Sequence, residues 1–300
     1  MPSISVVIPT LGRPAKVLAT VKHLLVLDAP GLIEIIVVDQ TTELNIELDA
    51  LSSYDTRLCV LRESVKNVSR ARNIGMRHAQ GDVIVFLDDD LLPCPSYFSS
   101  LQRLLGIHRI DFLTGPVIDQ GGRLRSCSDI EPLELARIKS GHEVQRDVDF
   151  AYCPQWSGSG NFIGYKSALV SAGGFDENLY RFNEDAELCH RIGLNGFSIA
   201  YDPLLAVDHL NEKMGGTWIK GDVASDMRSV LDNQLYFYRK IGYSGPAMLG
   251  VLLREFKHQV WHGAKVRQSN TLGRLYAFAV SLPGALAYMK KPPCPLNLLQ

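Results

Sequence analysis

Three consecutive acids, Asp88-Asp89-Asp90, close an apolar run in the segment GDVIVFLDDDLL. On an extended chain, residues two apart project to the same side, so Asp88 and Asp90 are expected to converge while Asp89 points elsewhere. Carboxylates packed this closely at the end of a buried strand repel one another unless a cation is present. Hard oxygen ligands suit Mg2+ or Mn2+, which bind through one or two carboxylates and complete their shell with phosphates and water. The bland alternative is a solvated acidic turn with no metal. A calcium-binding helix-loop-helix is excluded, because its loop glycine and closing glutamate do not follow.

A second acidic cluster stands in RFNEDAELCHRI, where Glu184 and Asp185 open a predicted helix. The helix dipole favours acids in a first turn, which accounts for Glu184 and Glu187 without any function. Asp185 is the candidate functional acid of the three; its role depends on where the turn sits, and the pattern alone does not carry it to the other acids. His209, in DHLNEKMGGT, is either an ordinary hydrogen-bonded histidine or a ligand. Lys213, Gly215 and Gly216 after it read as a phosphate-facing lid or merely a loop.

The elements that must position these groups alternate. Ile4 to Pro9 is an apolar strand, Ala15 to Leu27 has helical spacing, and Ile33 to Val38 is a second apolar run ending at Asp39. Leu58 to Leu61 reads as a third strand, Ser69 to Ala79 as a helix stopped by Gly81-Asp82, and Val83 to Leu87 as a fourth strand. Unbroken apolar strands between helices imply an α/β fold with a mostly parallel, Rossmann-like sheet covered on both faces. In such a sheet ligands bind outside the C-terminal strand ends, here Pro9-Thr10-Leu11-Gly12, Asp39-Gln40-Thr41 and Asp88-Asp89-Asp90. Asp39 alone would pass for a cap or a solvated turn; the three ends together suggest one crevice.

Further on, helices are expected near Tyr97 to Leu105, Ser167 to Ala172 and Glu184 to Gly193. Strands are expected near Asp111 to Ile118 and Phe197 to Tyr201, with Phe162 to Tyr165 a short segment. The polar stretch 119–149 has no clear pattern. From about Gly221 the chain turns helical and basic. The expected division is a main domain over 1–220, in two halves of about 1–118 and about 119–220, and a helical basic region over 221–300.

The chain has 300 residues, 46% hydrophobic and 21% charged, which excludes disorder, collagen-like and coiled-coil classes. Its six cysteines (Cys59, Cys94, Cys127, Cys153, Cys189 and Cys294) form no CxxC pair and favour a reducing, cytoplasmic location. The opening MPSISVVIPT shows no signal-peptide pattern. The apolar stretch from Tyr276 to Met289 is too short to span a bilayer and is interrupted at Pro283-Gly284. Net charge is −1, yet from Arg239 onward nine Lys/Arg meet one acid, Glu255, while the first 238 residues hold 22 basic and 31 acidic side chains. A basic tail seeks an anionic partner: residues 239–291 either lie against an anionic membrane surface or form a helical subdomain on the body. Nucleic acid is not expected, since the body is acidic and the aromatics form no stacking platform.

In order and spacing, SVVIPTLGRP, IIVVDQT, SRARNIGMRHAQGDVIVFLDDD, GSGNFIGYKSALVSAGGFDE and NEDAELCHRIGLNGF followed by DPLLAVDH resemble the glycosyltransferase family 2 enzymes of the GT-A fold, over about residues 3 to 211. The resemblance implies an inverting, metal-dependent enzyme moving a sugar from a nucleotide-sugar donor to an acceptor hydroxyl of a glycan or lipid-linked acceptor. It implies a donor pocket at Pro9, Thr10 and Arg13, with Asp39 reading the base and Arg72 and Asn73 near it. Asp88 and Asp90 match the DxD acids, Asp90 being the more direct ligand of Mg2+ or Mn2+ and Asp88 lying nearer the ribose, with Asp89 between them in the donor site. Gly160 and Asn161 match the donor-sugar loop. Glu184 and Asp185 match the pair whose Asp is the catalytic base, and His209 matches a histidine that can join the metal shell. Two departures stand out: Glu187 as the third acid of that helix, and Gln40-Thr41 after the base-reading Asp39.

Rival readings are a catalytically inactive carbohydrate-binding or scaffolding protein of the same fold, disfavoured by intact Asp88, Asp90 and Asp185, and a phosphatase of the haloacid dehalogenase type. The latter also ends a strand in DxD, but has Thr or Val where Leu92 stands and places that strand near the start of its core. A dehydrogenase is disfavoured because Gly158, Gly160 and Gly164 do not make GxGxxG.

Overall fold

A computed structural model describes residues 1–107, 110–119, 124–125, 151–152, 160–197, 199–210, 223–262 and 271–292. Most of the stretch 119–149, together with Gly158, Lys213, Gly215 and Gly216, lies outside the described residues.

The chain opens with β1 (Ile4–Thr10), α1 (Pro14–Val26), β2 (Leu32–Asp39), α2 (Ile46–Tyr54), β3 (Leu58–Arg62), α3 (Val68–His78) and β4 (Val83–Leu87). The four strands pair in parallel in the order β3-β2-β1-β4. Every residue of β1 and β4 is buried, and alternate side chains serve two different cores. Val6, Ile8, Val85 and Leu87 pack with Val17, Val21 and Leu24 of α1. Val7, Ile84 and Phe86 pack with Ala71 and Met76 of α3. A sheet covered on both faces needs apolar residues at every position, hence the unbroken apolar runs. Each large apolar side chain so buried contributes about 1.5–3 kcal/mol. Gly75 lets α3 close on β1, since a Cβ there would collide with Val7 Cγ1.

The next elements are β5 (Leu91–Pro93), α4 (Tyr97–Ile107), β6 (Phe112–Thr114), β7 (Val117–Asp119), β8 (Leu124–Arg125), β9 (Ala151–Tyr152), β10 (Asn161–Tyr165), α5 (Lys166–Ser171), α6 (Glu184–Leu194), β11 (Ile199–Tyr201) and β12 (Val207–His209). Strand β10 runs antiparallel to both β4 and β6, extending the main sheet to β3-β2-β1-β4-β10-β6-β11-β9. A small sheet, β5-β12-β7-β8, stands beside it. The strand expected from Asp111 to Ile118 is therefore two strands in two sheets. It breaks at Gly115-Pro116, where a Cβ on Gly115 would overlap the Leu205 carbonyl and Pro116 has no N–H to donate.

The remaining helices are α7 (Val223–Lys240), α8 (Gly245–Phe256), which runs into a π-helical turn over Lys257–His262, and α9 (Thr271–Tyr288). Met227, Leu231 and Leu235 of α7 bury against Met248 and Val251 of α8 and Phe278 and Ala285 of α9. The interruption expected at Pro283 does not occur: α9 continues through it. An internal proline costs a helix about 3 kcal/mol, and the packing on α7 offsets this. Gly284 allows the close approach, since a Cβ there would overlap the Arg228 guanidinium. No helix among the described residues is long and apolar enough to cross a membrane.

Helix α7 is fixed to the sheet region by buried charge. Lys240 Nζ pairs with Asp176 Oδ2 at 2.5 Å and Glu187 Oε1 at 2.8 Å. Tyr236 Oη donates to the same Asp176 oxygen at 2.7 Å, and Arg181 pairs with Asp226 at 2.7 Å.

Candidate active site

The chain runs from β1 outward to β2 and β3, then returns to lay β4 on the other side of β1. That reversal opens a crevice at the C-terminal ends of β1 and β4, where helix N-termini and loops gather. The strand ends are tied together across it. Gln40 N–H donates to the Thr10 carbonyl at 2.9 Å, and Gly12 N–H donates to Thr41 Oγ1 at 2.8 Å. Gly12 adopts φ +66°, a conformation open to glycine that turns the chain into Arg13, the residue capping α1.

The three acids do not lie on an extended chain. Strand β4 ends at Leu87, and Asp88 to Leu91 form a turn closed by the Leu91 N–H on the Asp88 carbonyl at 3.3 Å. The expected pairing of Asp88 with Asp90 gives way to a different sharing, because the alternation of a strand stops where the turn begins. Arg13 bridges Asp89 and Asp90 at 2.9 and 3.0 Å. Lys16 reaches Asp90 Oδ2 at 3.3 Å, while Thr10 donates to Asp89 Oδ2 at 2.7 Å and Thr20 to the Asp89 carbonyl at 2.9 Å. Asp88 turns instead to Arg72, at 2.9 Å, with its side chain 45% exposed. The cations that make this cluster tolerable thus come from the chain itself. Burial pushes the Asp89 carboxyl up to about 6, with Arg13 and the Thr10 hydrogen bond opposing it. Burial works against the Arg13 charge, but Asp89 and Asp90 outweigh it and hold its pKa above the usual value.

Arg72 joins the two acidic clusters. Only 3% of its side chain is exposed, it stacks over Phe175 at 5.4 Å, and its second terminal nitrogen pairs with Glu184 Oε1 at 2.9 Å. Glu184 and Asp185 begin α6 directly after Asn183, the one non-glycine described residue with positive φ, at +62°. Strain of this kind concentrates at sites where the surrounding structure over-determines the backbone. The Arg72 bridge therefore places the N-terminus of α6, and half-buried Asp185 on it, beside the crevice that sequence spacing left unconnected. Burial and the Asp185 charge push Glu184 up to about 7, against the pull of Arg72.

His209 ends β12, opposite Leu91 of β5. The Leu210 N–H donates to the Asp90 carbonyl at 2.9 Å, and His209 Nε2 stands 3.7 Å from Asp90 Oδ1. Gly160 precedes β10, and its carbonyl accepts the Asp88 N–H at 3.2 Å; a Cβ there would lie 2.6 Å from Asp88 Oδ2. Thr10, Arg13, Arg72, Asp88, Asp89, Asp90, Gly160, Glu184 and His209 are thus brought together.

Other sequence-selected residues build the frame. Asn161 is fully buried, accepting from Tyr97 Oη and donating to the Leu205 carbonyl, each at 2.8 Å. Asn73 binds both the N–H and the carbonyl of Phe175 at 2.9 Å, fixing the turn over which Arg72 lies. Pro9 lies within β1 opposite Val38. Asp39 is buried, with one carboxylate oxygen on Arg62 and the other accepting the Thr41 N–H at 2.8 Å. Sequence reasoning missed Lys16, Thr20 and Arg62. The signal for the first two was available: Arg13, Lys16 and Thr20 recur at helical spacing on the same side of α1 as Val17 and Val21, so they are polar residues on a buried stripe. Arg62 is the register partner of Asp39 at the end of β3.

A divalent cation would meet Asp90 Oδ1 and His209 Nε2, which stand 3.7 Å apart, as an oxygen and an imidazole donor; Arg13 and Lys16 occupy the other Asp90 oxygen, and Asp88 is turned to Arg72. Among the described residues no three acids, histidines or cysteines are already gathered as a metal cage.

The Glycosyl transferase family 2 model matches residues 5–154, half of the chain. Among curated proteins, the Pre-mycofactocin glycosyltransferase of Mycobacterium tuberculosis is 28% identical over 198 residues, 62% of this chain and 39% of the relative. The chain thus spans well under half the length of that relative. Among solved structures, S. aureus TarS 1-349 in complex with UDP-GlcNAc superposes with a TM-score of 0.61 at 15% identity, covering 96% of this chain and 81% of that one. The mannosyltransferase PcManGT from Pyrobaculum calidifontis, in complex with GDP-Man and Mn2+, gives 0.55 at 17% identity over 95% and 75%. The sheet order and these likenesses establish a GT-A fold, and with the sequence match over residues 5–154 the chain belongs to glycosyl transferase family 2.

Proposed function

We propose that the chain is an inverting glycosyltransferase that moves a sugar from a nucleoside diphosphate sugar to an acceptor hydroxyl, with Asp185 as base. The observation that carries this reading is the Arg72 bridge, which holds the Asp88 strand end and the Glu184-Asp185 helix start on one crevice. The solved relatives with UDP-GlcNAc and with GDP-Man and Mn2+ support a nucleotide-sugar donor. The base lies against the Asp39–Arg62 pair and the ribose near Asp88. The diphosphate lies over Arg13 and Lys16, which exchange carboxylate partners for phosphate oxygens. Asp90, His209 and Asp88 would hold Mg2+ or Mn2+, which supplies Lewis-acid stabilisation of the departing diphosphate.

An acceptor hydroxyl does not ionise at neutral pH, so its proton must leave as it attacks. Asp185 takes that proton, the acceptor oxygen bonds to the anomeric carbon, and the bond to the diphosphate oxygen breaks with its electron pair on the leaving group. One displacement inverts the centre. Glu184, whose protonated form is favoured by burial and the Asp185 charge against the pull of Arg72, keeps a second full negative charge from crowding Asp185. The acceptor class follows the family's polysaccharide, glycolipid and cell-envelope products.

The test is a panel of UDP-, GDP- and dTDP-sugars, with Mn2+ or EDTA, scored by thermal shift and diphosphate release. Stabilisation and turnover with one donor, lost in EDTA, is the expected result. A folded protein that no donor stabilises would move the assignment to the scaffolding reading.

A further inference from the structure

The C-terminal helices are apolar on both sides. The inner side of α8 and α9 packs on α7 through Met248, Val251, Phe278 and Ala285. The outer side is also apolar: Leu249, Leu253 and Phe256 recur at helical spacing on α8, and Leu272, Tyr276 and Val280 on α9, and all six are exposed. Arg274 is the only charged residue of α9, and it is buried, donating to the Gln259 carbonyl at 2.5 Å. Four turns of this helix therefore face outward without a charged side chain, which a water-facing surface ordinarily avoids.

The charges around this face have one sign. The only acid from Arg239 onward is Glu255, which is 5% exposed and pairs with Arg254 at 3.6 Å. Lys257, one turn beyond Leu253, is exposed, as is Lys290 just past the end of α9. Trp261 and Tyr276 are 70% and 69% exposed, and such amphipathic rings favour the boundary between hydrocarbon and headgroups. A spanning segment is absent among the described helices.

We propose that the outer face of α8 and α9 is a membrane-docking surface that inserts its apolar side chains into the interface of an anionic bilayer, with the lysines against lipid headgroups. The chemistry is that of interfacial helices: apolar burial supplies the affinity and basic residues select anionic lipid. The packed inner side accounts for what the sequence left as an alternative, a subdomain on the body: the inner sides of these helices dock on α7 and the outer sides meet lipid. This goes beyond the transferase reading and does not depend on it.

The experiment is flotation of the full chain with vesicles of phosphatidylcholine, with and without roughly a third phosphatidylglycerol, with tryptophan emission recorded in parallel. The chain is expected to float with the anionic vesicles, and its emission to shift to the blue. The shift should vanish in Trp261→Phe, a measurement that asks no change of fold. Leu253→Glu with Tyr276→Glu, both outward-facing, should lower partitioning at least about tenfold with unchanged circular dichroism, and Lys257→Glu with Lys290→Glu roughly tenfold in a salt-sensitive way. Absence of binding to anionic vesicles overturns the proposal. So does unchanged binding by the apolar double variant, or a wild-type dimer in sedimentation that the same variant dissociates, which would assign the face to a second copy of the chain. Donor turnover needs no vesicles, so either reading can fail alone.

Discussion

At the scale of single residues, Arg72 is the group on which the site depends most. Its removal leaves Glu184 buried beside Asp185 without its cation. Arg72→Gln is therefore expected to cost about 3–5 kcal/mol, a fall in melting temperature of roughly 10 °C, measured by calorimetry. Glu184 gives a pH signature whose sign is fixed. Its folded pKa of about 7 lies above the ordinary 4.5, so its stabilising contribution is complete below about 4.5 and is lost as pH rises through about 7. Denaturant midpoints between pH 5 and pH 8 should fall more steeply for the wild type than for Glu184→Gln, by about 1–3 kcal/mol over the interval; equal slopes would count against a buried, protonated Glu184. The acids and His209 were legible in the sequence as residue types in an ordered series. Their partners were less so. Arg13, Lys16 and Arg72 neutralise the cluster through contacts between residues 16 to 77 positions apart, and no local pattern encodes such distances.

At the scale of elements, the parallel half of the sheet was legible because β1, β4 and β2 from Ile35 onward are buried on both faces and so read as mostly apolar runs. The small sheet was not. Strands of three residues, such as β5 and β12, carry too few positions for a period to show, and their pairing is what brings His209 to Asp90. Helix α9 was misread at Pro283 because tertiary packing outweighed a local breaker. Two glycines make this scale testable. Gly75→Ala forces a Cβ onto Val7 and should destabilise by about 1–3 kcal/mol, seen as a lower denaturant midpoint. Gly160→Ala instead meets the end of a movable side chain, Asp88. It should weaken donor binding roughly ten- to hundredfold in a titration while the melting temperature stays within about 3 °C.

At the scale of the whole molecule, the acidic sheet region and the basic helical region are joined by charge as well as by apolar packing. Lys240 is shared by Asp176 and Glu187, both almost fully buried; Glu187 also holds Arg191 of its own helix, so it is Asp176 that α7 would strand on leaving. Lys240→Met should cost about 3 kcal/mol and broaden or split the single thermal transition as the two regions uncouple. The charge asymmetry was plain in the sequence; which cations face inward was not. Lys240 and Arg274 are spent on internal partners, while Lys257 and Lys290 remain outward.

The central claim is that the crevice between β1, β4 and the start of α6 is a transferase site with Asp185 as base. Its most direct test is donor turnover by purified Asp185→Asn, alongside donor binding by the same protein. The expected result is a loss of about a hundred- to ten-thousandfold in kcat with donor affinity and melting temperature near wild type. Transfer at close to the wild-type rate would contradict the account.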